Sequence, residues 1–150
     1  MRTVITAGSL VSLPLLEVTG PMRDSFFIDH VDHEFCLRAR SHGLKVLISA
    51  RPLMLQSIGA AKFHRVFPGL SLKASNHSAI RRYYMIRNYV GLVRGYLFKE
   101  PVFLLRNLRG QVVSLIAVIL FETDKGPKLM MALRGLNDGI WGRFGRYGSG

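Results

Sequence analysis

Residues Phe26–Arg40 read FFIDHVDHEFCLRAR. Val31, Phe35 and Ala39 recur at i, i+4 and i+8, the spacing of one helical face. Asp29 precedes the first apolar position and predicts the helix cap, while Gly43, following Ser41 and His42, predicts the stop. Acids gather here: Asp24, Asp29, Asp32 and Glu34 are four of the nine in the chain. In the first turn Asp32 meets the positive end of the helix dipole, which stabilises its charge by about 0.3–1 kcal/mol. A carboxylate ionised at neutral pH can take a proton from a hydroxyl group. The residues alone also allow an ordinary alternative, surface acids that compensate a helix N-terminus. Cys36, beside Phe35, reads as a small core residue rather than a nucleophile.

Around this acidic stretch the chain is strongly basic. Its 150 residues carry 21 Lys and Arg against nine acids, a net charge of +12. Residues 78–150 hold twelve of those cations and four acids, against nine and five in residues 1–77. Such a surplus favours an anionic partner: nucleic acid, acidic lipid or a phosphorylated substrate. Nucleic acid is disfavoured, because basic and aromatic residues form no reading motif. The length suits one domain, and an apolar share of 49% excludes a disordered chain. One cysteine excludes an internal disulfide and a cysteine-based zinc cluster. Met1-Arg2 leads into a Thr/Gly/Ser stretch rather than a sustained apolar run, so no signal peptide is expected.

Upstream of the acidic stretch, Arg2–Val11 predicts a strand with a turn at Thr6-Ala7-Gly8-Ser9, where small residues let backbone approach a ligand. Ser12 and Pro14 predict a short helix with Leu13, Leu16 and Val18 on its buried side, and Gly20-Pro21 stops it. Downstream, Leu44–Ala50 (LKVLISA) predicts an apolar strand, and Ala60–Asn76 a loop with a turn at Pro68-Gly69. In HSAIRRYYMIRN (His77–Asn88), Ser78 predicts a helix cap, and the arginines suit phosphate oxygens because their planar donors fork. A basic solvated helix face is the alternative reading. The rest is helical and amphipathic, interrupted by Pro101, Gly110 and Gly126-Pro127. Its longest apolar run, Val112–Phe121, is broken only by Ser114 and falls short of the ~20 residues a membrane span needs. Basic residues flanking Trp, Phe and Leu fit attachment to a membrane surface. There is no P-loop, dinucleotide glycine fingerprint or Cys/His metal spacing.

FFIDHVDHEFCLRAR resembles the segment through the catalytic aspartate of family 2 glycosyltransferases, the rhamnosyltransferase branch above all, whose pattern is roughly F-x-D-x-V-D-x-E-[WF]-C-L-R-A. Many relatives carry Glu-Asp where this chain has Val31-Asp32. HSAIRRYYMIRN is similar to the family's H-S-x-x-R-R-Y-Y-x-x-R-N, and KLMMALRGLNDGIWGRFGR (Lys128–Arg146) to its C-terminal pattern. The resemblance runs from about Thr3 to Arg146. It implies that Asp32 is the general base that takes the acceptor hydroxyl proton, with Glu34 the second acid of the motif. It also implies that Gly8 and Ser9 line the acceptor pocket, and that His77, Arg81 or Arg82 approach the donor diphosphate. Mg²⁺ or Mn²⁺ is implied as cofactor, but the family's usual histidine is Gln56 here, a weak metal ligand, and no metal-binding residue is assigned.

The implied fold is α/β, the C-terminal part of a GT-A nucleotide-diphospho-sugar transferase followed by amphipathic basic helices. Residues 1–76 would form the acceptor-side half and residues 77–150 the basic helical region. The nucleotide-binding half that the family carries is missing, so the chain is expected to be inactive alone and to work with a separate N-terminal half. The implied reaction is inverting transfer of a sugar, L-rhamnose from dTDP-rhamnose, to a cell-surface polysaccharide acceptor. The expected location is cytoplasmic, peripheral on the anionic inner face of the plasma membrane. Two other readings stand beside it: a non-catalytic basic protein on an anionic membrane surface, and an inactive truncated gene product.

Overall fold

In the computed structural model, which describes residues 3–51, 62–67 and 70–148, the chain runs through α1 (Leu13–Thr19), a 3-10 turn (Asp24–Phe26), α2 (Val31–Ser41), β1 (Lys62–Phe67), β2 (Leu70–Ala74), α3 (Ala79–Tyr96), α4 (Pro101–Phe121) and α5 (Lys125–Trp141). This overturns the expected α/β GT-A architecture. Five helices carry the described fold, and the strands among the described residues are one antiparallel hairpin with no parallel ladder. The apolar segment Leu44–Ala50, expected as a strand, joins no ladder, and neither does Thr3–Val11 of the expected strand Arg2–Val11. Strand propensity becomes sheet only where a neighbouring strand takes up the backbone donors and acceptors. Ala60–Asn76, expected as a loop, instead contains β1 and β2, paired from Lys62↔Ala74 to Phe67↔Leu70. The Pro68-Gly69 turn and Gln56–Gly59 lie outside the described residues.

The helix boundaries follow local chemistry. Ser12 precedes α1, Pro14 sits in its first turn, and Gly20, at φ 74°, ends it. Leu13 and Val18, expected to be buried, are exposed, and Thr19 is buried instead, its hydroxyl donating to Leu15 O at 2.8 Å. Helix α2 stops where expected: Gly43 at φ 77° donates to Arg40 O, and Leu44 N donates to Ala39 O. These paired bonds satisfy the last carbonyls of the helix. Ser78 caps α3, its Oγ accepting from Arg81 N. Pro101 opens α4, but Gly110 does not interrupt it, and Gly126-Pro127 fall inside the first turn of α5.

Helix α3 is the axis. It meets α5 at backbone distance because α5 presents glycines: a Cβ on Gly139 would lie 2.7 Å from Val90 Cβ, and one on Gly135 would collide with the Tyr83 carbonyl. On its other side, Leu92 and Tyr96 join Phe26, Leu37 and Leu104 in the buried core, so that core spans the residue 76/77 division. Polar groups are buried too. Glu122 accepts from Arg82 Nη2 at 2.8 Å, Lys128 Nζ at 3.0 Å and Asn76 N at 2.9 Å. Burial works against the Glu122 charge, but the hydrogen bonds from Lys128 and Asn76, with Arg82, overcome it and hold the carboxyl below its ordinary pKa. Burial acts first on Arg82 and lowers its pKa, against the pull of Glu122.

Candidate active site

The acidic stretch enters α2 through a strained loop. Phe27, Asp29 and His30 all have φ near 60° (61°, 60° and 63°), in the left-handed region that ordinary residues rarely occupy. Two side chains of α3 hold this backbone. Asn88 Nδ2 donates to the carbonyls of Phe26, Ile28 and Asp29 at 2.7–2.9 Å. Arg87 donates to the Ser25 and Phe26 carbonyls at 3.1 Å and to Gly145 O, while its guanidinium lies over the Tyr84 ring. Both residues are buried. These contacts satisfy carbonyls that the left-handed turn would otherwise leave unpaired.

One consequence corrects the sequence expectation. Asp29 does not cap α2; His30 occupies that position, with no side-chain cap bond. The Asp29 carboxylate is instead gripped by the fork of Arg81, with Nη2 to Oδ1 at 2.9 Å and Nε to Oδ2 at 3.0 Å. Hydrogen bonding to Asp29 raises the Arg81 pKa, against a smaller effect of burial. Asp32, one turn on, is far less engaged: its Oδ1 accepts from His33 N at 2.9 Å, and no cationic Arg or Lys pairs with it among the described residues. Of the two aspartates, Asp32 is therefore the one with lone pairs available to a substrate proton.

Two cavities meet at Asp32. One, of about 620 Å³, is lined by Asp29, Arg81, His30 and Thr6, with Asn107 and Gln111 from α4. The other, of about 690 Å³, runs between the segments Thr3–Val11 and Lys45–Ser49, over Phe35 and Cys36 of α2. Gly8 and Ser9 line the second cavity in a turn where Gly8 has φ 73° and Ser9 N donates to Thr6 O. Asp32 is the one acid lining both. Cys36 is buried beneath, and burial raises its thiol pKa, which suits a core residue.

The other expected site residues divide. Glu34 is 2% exposed and lies inside the protein, accepting from Tyr96 Oη at 2.9 Å and Arg38 Nη2 at 3.0 Å. Arg82, also 2% exposed, has its guanidinium taken by Glu122 and Ser114. Neither lines the two cavities, because each is held by partners more than 30 residues away that sequence spacing does not reveal. His77 is half-buried just before α3, and burial, then Arg81 and Arg82, lower its pKa.

His30, Arg87, Asn88, Asn107 and Gln111 are site residues that sequence reasoning passed over. Arg87 and Asn88 end the same HSAIRRYYMIRN word that contains Arg81. Asn107, Gln111 and Ser114 form an uncharged polar stripe, at i, i+4 and i+7, in a helix whose other polar residues are Arg106 and Arg109, and that stripe was the available signal. Gln111 Nε2 lies 3.2 Å from His30 Nε2. Burial, then the neighbouring His33, lower the His30 pKa to about 4, so the ring is neutral at pH 7.

Among the described residues no three His, Cys, Asp or Glu side chains converge as ligands for a metal ion. With Asp29 bound to Arg81, the acids present do not fit Mg²⁺ or Mn²⁺, which favour several free carboxylate or water oxygens.

Over 125 residues, 83% of its length, the chain is 35% identical to the dTDP-rhamnosyl transferase RfbF of Shigella flexneri. The match spans 40% of the length of that curated relative. This similarity supports a rhamnosyltransferase relationship. No family model matches the chain, and no solved structure does.

Proposed function

We propose that this chain supplies the acceptor side and the general base of a glycosyltransferase that moves a sugar from a nucleotide diphosphate donor to a saccharide hydroxyl. The observation that carries the reading is the position of Asp32, the less engaged acid at the junction of two cavities. Similarity to a rhamnosyltransferase supports L-rhamnose from dTDP-rhamnose as the donor. In the step, the acceptor O–H proton passes to the Asp32 carboxylate as the acceptor oxygen bonds to the sugar anomeric carbon. The bond from that carbon to the diphosphate oxygen breaks, and its electron pair leaves with the diphosphate. Gly8 and Ser9 would border the acceptor. Arg81, 43% exposed and oriented by Asp29, would use its remaining N–H donors on a hydroxyl or phosphate oxygen. Glu34 and Arg82 are buried and line neither cavity, so no contact with substrate is assigned to them. The matched span is less than half of the relative, so donor binding and any Mg²⁺ or Mn²⁺ are assigned to polypeptide outside this chain, and the chain alone is expected to give no transfer.

The test is Asp32→Asn in the enzyme completed by a donor-binding segment. A positioned base contributes about 10²- to 10⁴-fold, so transfer should fall by at least ~100-fold with thermal stability nearly unchanged. Asp29→Asn should cost less, because it weakens the hold on Arg81 without removing the base. A variant pair in which Asp29→Asn abolishes transfer and Asp32→Asn does not would move the base to Asp29.

A further inference from the structure

Helix α4 buries Leu104, Ala117 and Val118 against the body and leaves a second apolar face uncovered. Its uncharged polar side chains turn inward: Asn107 lines the Asp32 cavity, Gln111 meets His30, and Ser114 accepts from Arg82. Many of its apolar side chains turn outward. Leu105, Leu108, Val112, Ile116, Ile119 and Leu120 are each 42–68% exposed. A soluble helix normally does the opposite, because uncovered apolar area costs about 25 cal/mol per Å². An outward face of this kind belongs in an apolar medium.

We propose that the outer face of α4 lies in the plane of an anionic lipid bilayer surface. Charge selects the occupant. Helix α4 contains no acid, and its two cations, Arg106 and Arg109, are exposed with no ion-pair partner among the described residues. At its N-terminal end stand exposed Lys99 and Phe98, the latter 95% exposed, an aromatic beside a cation as at a lipid headgroup boundary. Elsewhere Asp29, Glu34, Glu100, Glu122 and Asp138 are each paired with an Arg or Lys, which leaves the surplus of the +12 charge on the surface.

At 21 residues α4 is long and apolar enough to cross a membrane. Geometry favours the in-plane arrangement instead. Its inner face is tied to the body by Gln111 and Ser114, and by Leu104 O, which accepts from Tyr89 Oη at 3.0 Å. A spanning helix would have to break those bonds and carry Asn107 and Gln111 into hydrocarbon, where unpaired amides are costly. The proposal stands independently of the transferase reading.

The test is co-sedimentation of the full chain with vesicles of phosphatidylcholine alone or with added phosphatidylglycerol, at about 0.1 M and about 1 M salt, over which the screening length falls from ~10 to ~3 Å. Binding is expected to the anionic vesicles at low salt and to weaken about tenfold or more in Arg106→Glu/Arg109→Glu, since each cation near the surface is worth roughly fivefold. Val112→Glu/Ile116→Glu should abolish it, with circular dichroism checking that helix content is kept. Leu105→Trp in a Trp141→Phe background should shift its fluorescence to the blue on the same vesicles, which reads insertion without a disruptive charge. Equal binding to both vesicle types, no binding, or no spectral shift overturns the proposal. So does self-association lost in Val112→Glu/Ile116→Glu without any vesicle binding, which would make α4 a contact between copies.

Discussion

Residues 79–146 and residues 3–51 are held together by different means. In the first region α3 and α5 touch through glycines, and a charged cluster of Arg82, Glu122 and Lys128 is sealed between helices. In the second, extended segments cross the surface with Leu10 and Leu47 almost fully exposed (102% and 82%), and α2 alone buries a broad set of side chains. The regions are joined by the shared core, in which Phe26 and Leu37 pack with Leu92, Tyr96 and Leu104, and by polar contacts: Asn88 and Arg87 on the Phe26–Asp29 carbonyls, Arg81 on Asp29, and Tyr96 on Glu34. The candidate site lies along that seam.

The sharpest way to break the contrast is to remove the buried countercharge. Glu122→Gln leaves Arg82 and Lys128 buried without an anion, and loss of one partner of a buried ion pair typically costs about 3–5 kcal/mol. Urea denaturation should show a loss of that size. A loss below about 1 kcal/mol would mean that the cluster is open to water and the two regions are less different than they look.

His30 probes the seam itself. Its folded pKa lies at about 4, below the ordinary 6.5, because burial resists the charged ring. The unfolded chain therefore binds the proton more readily, so this contribution to stability is complete above about pH 6.5 and is lost as pH falls toward 4. Over that window the loss from this group should approach about 3 kcal/mol. His30→Asn, which tolerates the left-handed backbone, should flatten stability between pH 6.5 and 4; an unchanged pH profile would place the titration elsewhere.

The smallest effects belong to the exposed segments. Leu10→Ser and Leu47→Ser should each leave stability within about 0.5 kcal/mol, as for other surface substitutions. A measured loss of more than about 1 kcal/mol by thermal denaturation would show that these segments are covered in solution.

Local signals failed at the start of α2, where Asp29 does not cap the helix, but were legible at several helix ends. Ser78 at the start of α3, Gly43 past the end of α2, and Ser12 with Pro14 at α1 are of this kind. The strands were misread in both directions. LKVLISA has strand composition but no ladder, while KFHRVF and LSLKA pair with each other inside an expected loop. Pairing depends on which segment lies alongside, and composition does not specify that.

The candidate site divides in the same way. From the sequence alone came the acidic stretch, its helix, the basic surplus and the arginine-rich word His77–Asn88. Helix spacing alone does not rank Asp29 against Asp32, since both stand near the same helix N-terminus; it was the family resemblance that pointed to Asp32. The tertiary structure gives them different surroundings: Arg81, 52 residues away, grips Asp29, while Asp32 lines both cavities. It likewise withdrew Glu34 and Arg82 into the interior, onto Tyr96 and Glu122. A charged side chain acts on a substrate only with the donors and lone pairs that the fold leaves unpaired. Those are settled by contacts between distant segments, and the tertiary structure alone sets them.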